Sequence, residues 1–147
     1  MEPLERLRQA ERNWVHTQNH LFSREVVNFA VQVRAATIHL EDLSGFGKDV
    51  NGQADERKEF VLRNWSYYEL QSMITYKAAK YGIKVRKIRP AYTSRTCSCC
   101  GHEGSRQGTV FICENPECEQ YGEKVHADYN AARNIASSKD IIKDNNE

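Results

Sequence analysis

All five cysteines of this 147-residue chain lie between Cys97 and Cys118. Cys97 and Cys100 form a C-x2-C pair, Cys113 and Cys118 form a C-x4-C pair, and twelve residues separate the two pairs. Two short turns that each present two sulfurs can close a tetrahedron around one ion, so the spacing predicts a four-thiolate zinc ribbon. The segment has few apolar residues, and we therefore expect bound Zn²⁺ to supply most of its stability.

Other uses of the cysteines and nearby histidines are open from the sequence alone. Cys99 is left over, and it replaces Cys97 or Cys100 only with poorer geometry. His102 and His126 are substitute ligands that four suitable cysteines make unnecessary. Disulfides are the competing interpretation, but the charged N-terminus lacks the apolar stretch of a signal peptide and no apolar run could span a bilayer. We therefore expect a cytoplasmic, reducing compartment and no membrane partner.

The chain has a net charge of only +1, but its basic residues are unevenly distributed. Seven fall between positions 77 and 95, with no acid among them. This stripe predicts either contacts with nucleic-acid phosphates or a solvated helix face beside a protected edge strand. The basic residues are Lys77, Lys80, Lys84, Arg86, Lys87, Arg89 and Arg95.

Apolar spacing and turn residues predict an α/β fold. A strand, a helix and a second strand in succession suit a right-handed crossover between parallel strands. Two strands alone make a poor sheet, which indicates that part of the fold is not accounted for. The predicted order is a helix over 4–34, a strand over 36–43, a mobile loop over 44–58, a helix over 59–82 capped by Gly82, a strand over 83–90, the cysteine segment with a strand over 108–112, and a helix over 127–141 with Asp128 as its N-cap.

Two acidic residues stand at the ends of predicted elements. Glu41 ends the first strand, and Asp128 begins the last helix. A single glutamate at a strand end is usually solvated, and a single aspartate at a helix start is usually a cap. Taken separately, neither residue predicts catalysis.

Four stretches of the chain closely resemble the C-terminal part of the TnpB family, and the resemblance as a whole covers about residues 5 to 137. These are NWVHTQNHLFSREVV, IHLEDLSGFGK, TSRTCSCCG and HADYNAARNIA. The family consists of transposon-associated RNA-guided DNA endonucleases, close relatives of the type V CRISPR effectors. The resemblance implies a partial RNase H-like (RuvC-type) nuclease domain over 1–92 and 126–141, an inserted four-cysteine zinc ribbon over 93–125, and a frayed tail over 142–147.

The same resemblance implies roles for individual residues. Glu41 matches the family's second catalytic carboxylate and Asp128 its third, which would hold Mg²⁺ ions for phosphodiester hydrolysis. Cys97, Cys100, Cys113 and Cys118 match the ribbon's zinc ligands. The loop from Ser44 matches a region near the active site, and the implied partners are DNA and a guide RNA. The residues expected to contact nucleic acid are Lys84, Arg86, Lys87, Arg89 and Arg95.

The chain also departs from the family pattern. The family's first catalytic aspartate lies well upstream of the second acidic motif, and this chain has no aspartate before Asp42. We therefore expect little nuclease activity from the chain alone, and self-association or a partner chain that supplies the missing half. The alternatives are a zinc-ribbon module that binds nucleic acid without cutting it, and a subunit that completes another chain's fold.

Overall fold

The computed structural model of the protein describes residues 3–42, 67–89 and 93–144. The predicted loop over 44–58 and the start of the predicted second helix lie outside these residues. The described chain forms two compact units, one of residues 3–38, 67–85 and 144, the other of residues 39–42, 86–89 and 93–143. Its elements are α1 (Pro3–Gln32), β1 (Thr37–Glu41), α2 (Tyr67–Ala79), β2 (Lys84–Ile88), β3 (Gly104–Gln107), β4 (Val110–Cys113), β5 (Lys124–His126), α3 (Ala127–Ser137) and β6 (Ile141–Asp144).

The first unit is built around the packing of α1 on α2. Both helices end in the same hydrogen-bonded turn, in which one residue adopts a positive φ. Gly82 takes this position after α2 with a φ of 69°, as predicted. Arg34 takes it after α1 with a φ of 55°, and this turn ends the helix at Gln32, before the predicted position 34. The apolar residues buried in the two helices are Val27, Ala30, Met73, Ile74 and Ala78.

Polar side chains also join α1 to α2. Glu69 Oε1 lies 2.5 Å from His16 Nδ1, and Glu69 Oε2 accepts a hydrogen bond of 2.7 Å from Asn19 Nδ2. The hydrogen bonds from His16 and Asn19 favour the carboxylate, so the pKa of Glu69 falls below its usual value of 4.5. The glutamate therefore stabilises the helix pair in its ionised form.

Two three-stranded sheets complete the fold. One has the strand order β1-β2-β6. Lys84 N donates to Ala36 O at the start of this pairing and Asp42 N donates to Ile88 O at its end, so β1 and β2 run parallel. The other sheet, β3-β4-β5, is antiparallel, with Ser105 opposite Ile112 and Phe111 opposite Val125.

The C-terminal segment differs from the prediction. Its helix ends at Ser137, short of 141, and Ile141–Asp144 forms β6 where a frayed tail was expected over 142–147. The strand pairs with β2, and Arg89 N, just after β2, donates to Asp140 O, just before β6. The mixed α/β class is confirmed. β6 supplies a third strand to the sheet of β1 and β2, for which the sequence had predicted only two strands.

Within the described residues, no helix is long and apolar enough to cross a membrane.

Replacement of Glu69 by glutamine should make the stability of the first unit less dependent on pH. A carboxylate with a lowered pKa contributes stability that is complete above 4.5 and is lost as the pH falls through its folded pKa. The contribution should stay below about 1 kcal/mol, since both His16 and Glu69 are partly exposed.

Urea unfolding of the wild-type chain and Glu69→Gln, followed from neutral to acidic pH, measures this contribution. The free-energy difference between them should disappear in acid, whereas Glu25→Gln, an exposed change on α1, should match the wild type throughout. A Glu69→Gln difference that stays constant with pH would contradict the assignment.

Candidate metal centre and acidic site

The four cysteines predicted as zinc ligands converge on one point. The sulfur atoms of Cys97, Cys100, Cys113 and Cys118 all lie within 4.8 Å of one another. The distance from Cys97 Sγ to Cys118 Sγ is 3.9 Å, and that from Cys100 Sγ to Cys113 Sγ is 3.7 Å. A tetrahedron with Zn–S bonds of about 2.3 Å requires sulfurs about 3.8 Å apart. Two of the six separations match this value and none exceeds 4.8 Å, so the four thiols are close enough together to share one zinc ion.

Two segments, each closed by a backbone hydrogen bond from a glycine, hold the thiols in place. In the first, Gly101 has a φ of 75° and its N–H donates to Cys97 O. In the second, Gly122 has a φ of 72° and donates to Cys113 O. A side chain at either glycine would be strained, because L residues rarely adopt this conformation.

The cluster also forms the core of its surroundings. Beside the thiols, the buried residues here are Phe111 and Ala127. Gly104 lies against this core, since a Cβ at that position would meet Ile112 O at 2.5 Å and the Phe111 ring at 2.6 Å. One aromatic ring and four sulfurs are a small core, which agrees with the expectation that a bound metal stabilises the segment.

The cysteines differ in whether their surroundings favour the thiolate or the neutral thiol. The backbone N–H of His102 donates to Cys100 and, with help from the Asn115 side chain, lowers the pKa of Cys100 to about 6. Burial raises the pKa of Cys113. The N–H of Gln120 favours the Cys118 thiolate, but burial and the neighbouring sulfurs together raise the pKa of Cys118. Adjacent thiolates repel one another, and a divalent cation removes that repulsion.

The alternative ligands do not join this set. Across residues 3–42, 67–89 and 93–144, the four cysteines are the one group of three or more histidine, cysteine or acidic side chains able to share an ion. Cys99 is exposed outside it. His126 precedes α3 and is also exposed. His102 lies beside Cys100, and its hydrogen bonds with Cys100 raise the pKa of its imidazole.

Glu41 lies at the end of β1 in the second unit. Its Oε1 accepts a hydrogen bond of 2.7 Å from the hydroxyl of Thr93, a buried residue. Two residues earlier on the same strand, His39 Nδ1 donates to Ile135 O of α3 at 3.0 Å. The strand that carries Glu41 is thus bonded to the helix that carries Asp128.

Asp128 is not the N-cap that the sequence predicted. The cap is His126, which makes no capping hydrogen bond through its side chain. Asp128 lies in the first turn of α3, where its side chain is 72% exposed and its Oδ1 accepts from Arg106 Nη2 at 3.2 Å. Arg106 belongs to β3, so this ion pair joins the helix to the hairpin of the cysteine segment. The carboxylate is therefore available at the surface and is held by a cation.

Two asparagines on α3 connect the first cysteine turn to the Glu41 region. Asn130, 1% exposed, accepts from Ser98 N at 2.8 Å and donates to Thr96 O at 2.7 Å. Asn134 donates to Thr96 O and, at 2.9 Å, to the carbonyl of Thr93, the residue that bonds Glu41. Sequence reasoning missed these contacts, although amides four residues apart among alanines in DYNAARN were a usable signal.

The basic residues expected to contact nucleic acid are distributed over both units. Lys84 belongs to the first unit, and the other four belong to the second. Arg89 is paired with Asp140 at 3.6 Å. All five have exposed or half-exposed side chains: Lys84, Arg86, Lys87, Arg89 and Arg95.

Removal of the Asn130 amide should destabilise the second unit. Asn130→Ala removes the side-chain acceptor of Ser98 N and one of the amide donors to Thr96 O, which should cost about 1–3 kcal/mol in the free energy of unfolding. The same variant should release zinc at a lower chelator concentration, because Ser98 follows Cys97. Ser137→Ala, at an exposed serine of the same helix, is the control and should change neither property. Equal behaviour of the two variants would show that the amide does not tie α3 to the cysteine turn.

Residues 67–135 match the family model of the Cas12f1-like TNB domain. The chain is 42% identical over 138 residues to the CRISPR-associated endodeoxyribonuclease Cas12f1 of Sulfoacidibacillus thermotolerans, an alignment that covers 92% of this chain and 30% of that protein. It is 27% identical over 123 residues to the TnpB-like protein L79 of Acanthamoeba polyphaga mimivirus, covering 84% of this chain and 22% of the relative. The chain thus spans less than a third of the length of these relatives.

The fold agrees with the sequence similarity. The structure superimposes on a protein chain of a Cas12f1-sgRNA-target DNA complex with a TM-score of 0.73 and 28% sequence identity, over 94% of this chain and 37% of that one. The chain belongs to the TnpB family and corresponds to its C-terminal part.

Proposed function

We propose that the chain supplies the nuclease and zinc-ribbon portion of an RNA-guided DNA endonuclease. In this proposal, residues 1–92 and 126–141 form part of a RuvC-type RNase H-like domain, and residues 93–125 form its inserted ribbon. The observation that carries the proposal is the hydrogen bonding of β1, which bears Glu41, to α3, which bears Asp128. The similarity to Cas12f1, an endodeoxyribonuclease, supports it.

Glu41 and Asp128 would hold the catalytic metal through their carboxylate oxygens. Two Mg²⁺ ions, when bound, supply an activated water and stabilise the leaving oxygen of the phosphodiester. The Thr93 hydroxyl donates to Glu41 Oε1 and restricts the rotation of this carboxylate. Arg106, on β3, donates a hydrogen bond to Asp128 Oδ1 and likewise restricts the rotation of that carboxylate. Zn²⁺ would be held by the four thiols and would have a structural role, since a closed four-thiolate site has no open position.

The nucleic acid would bind along the basic residues of β2 and the entry to the first cysteine turn. Lys84, Arg86, Lys87, Arg89 and Arg95 would contact backbone phosphates of DNA or of the guide RNA. The relative of known structure was solved as a complex with both polymers. These contacts should weaken steeply with salt.

The catalytic site of the 147-residue chain would be incomplete by itself. No aspartate precedes Asp42, and within the described residues neither Glu41 nor Asp128 belongs to a group of three or more side chains able to share an ion. α1 also exposes large apolar side chains: Leu7 at 69%, Trp14 at 64%, Leu21 at 52% and Phe29 at 65%. Such a surface suits association with a second copy or with a chain that supplies the first catalytic acid.

A second candidate function is a zinc-ribbon module that binds nucleic acid without cutting it. The ion pair between Arg106 and Asp128 favours it, because an arginine already neutralises that carboxylate. Binding that is retained in both Glu41→Ala and Asp128→Ala, with no cleavage under any condition, would support this function over the first.

A cleavage assay in Mg²⁺ tests the proposal. The zinc-loaded chain alone should leave single- and double-stranded DNA intact, with or without co-purified RNA. Addition of a family chain that provides the first aspartate should produce cleavage, and Glu41→Ala or Asp128→Ala should reduce its rate by at least roughly a hundredfold, since loss of even an outer metal contact costs 10–100-fold.

Glu119→Ala, at an exposed glutamate of the cysteine segment, should cleave like the wild type. Strong cleavage by the chain alone would overturn the claim that its site is incomplete. Cleavage by the completed complex that is unaffected by Glu41→Ala and Asp128→Ala would overturn their catalytic assignment.

A further inference from the structure

A cavity of about 260 Å³ lies between α1 and α2, entirely within the first unit. Its walls include three cationic side chains, Arg24 from α1 and Lys77 and Lys80 from the α2 segment. None of the described residues that line it is acidic. The candidate acids and thiols all belong to the second unit, so this cavity is not part of the site described above.

Lys77 is the central group of the cavity. Its side chain is buried, and Nζ donates to His20 O at 2.7 Å and to Ser23 Oγ at 2.6 Å. Both acceptors are neutral, and an ammonium has three donors, so one donor is available to a ligand. A buried charge without a counter-ion is costly, and a bound anion would remove that cost.

The surroundings of Lys77 have a positive potential. Burial, with the nearby charges of Arg24 and Lys80, lowers the pKa of Lys77. Arg24 and Lys80 are both exposed at the cavity, where they can meet a ligand from solvent. Three cations around one small cavity are the arrangement that binds a phosphate group.

Two tyrosines give the cavity an aromatic wall. Tyr76 is 44% exposed and Tyr81 is 57% exposed. Lys77 Nζ and Lys80 Nζ lie 5.9 and 5.8 Å from the centroid of the Tyr76 ring, so cations and ring share one surface. Aromatic rings beside cations are the combination by which proteins bind unpaired bases together with their phosphates.

We propose that this cavity binds one nucleotide of a single-stranded nucleic acid. Arg24, Lys77 and Lys80 contact the phosphate, and the base stacks on Tyr76 or Tyr81. This cavity would be a second surface for nucleic acid, apart from the basic residues named under the proposed function. The proposal rests on that function only in taking the ligand to be a nucleic acid. It does not depend on catalysis by Glu41 or Asp128.

Fluorescence anisotropy with a labelled single-stranded oligonucleotide tests the proposal on the zinc-loaded chain, without added Mg²⁺, at several salt concentrations. Arg24→Gln/Lys80→Gln should weaken binding on the order of tenfold at low salt and reduce the slope of log K against log[salt] by roughly 0.7 to 1.4. Both residues are exposed, so the variant should keep the wild-type unfolding midpoint.

Arg8→Gln/Arg12→Gln is the matched control, since it removes the same charge from exposed positions of α1 in a groove that also contains Glu5. It should weaken binding less than about twofold, because Glu5 already offsets part of that charge. Equal losses in the two double variants would overturn the proposal, because the effect would then be one of net charge.

A third variant and a competitor identify the ligand. Tyr81→Ala/Tyr76→Ala should weaken oligonucleotide binding, and unchanged affinity would refute the stacking of the base. Uridine monophosphate should displace the oligonucleotide only at millimolar concentration. Displacement at micromolar concentration would show that a free nucleotide occupies the cavity and would overturn the assignment to a polymer. These binding measurements do not depend on cleavage, so they can support or refute the cavity whether or not the cleavage assay supports the proposed function.

Discussion

The convergence of four thiols is the constraint on which the second unit depends. Without the cluster, the hairpin of β3 and β4 has little to bury except Phe111. The sulfurs all lie within 4.8 Å of one another, two pairs at the separation that a tetrahedral zinc ion needs. Backbone hydrogen bonds at Gly101 and Gly122 hold the segments that carry them. A metal would neutralise the thiolates and tie together segments that are far apart in the chain.

The effect of this cluster extends beyond the ribbon. Asn130 and Asn134 bond the chain just before and after Cys97, and Thr93, which Asn134 contacts, bonds Glu41. On the other side, Arg106 of the hairpin bonds Asp128. A structural metal would therefore influence both candidate acids without touching either, through the two asparagines on the side of Glu41 and through Arg106 on the side of Asp128. Zinc loss should disturb the acidic site as well as the ribbon.

Much of this arrangement could be predicted from the sequence, because the signals were local. The cysteine spacing predicted the cluster, and Gly82 predicted the end of α2. Prediction failed where the cause was a distant partner. β6 forms on the edge of β2, which no pattern within residues 141–144 could reveal. The last helix begins at Ala127, so Asp128 lies in its first turn and pairs with Arg106 instead of capping it. Arg34 ends α1 in a conformation that favours glycine, so composition gave no signal there.

The central claim is that these four cysteines hold one zinc ion, and X-ray absorption spectroscopy at the zinc edge of the purified chain tests it most directly. One zinc per chain, with four sulfur neighbours at about 2.3 Å and no nitrogen or oxygen in the first shell, is the predicted result. A nitrogen ligand would assign His102 or His126 to the metal. Loss of the signal in Cys99→Ser but not in Cys118→Ser would contradict the account.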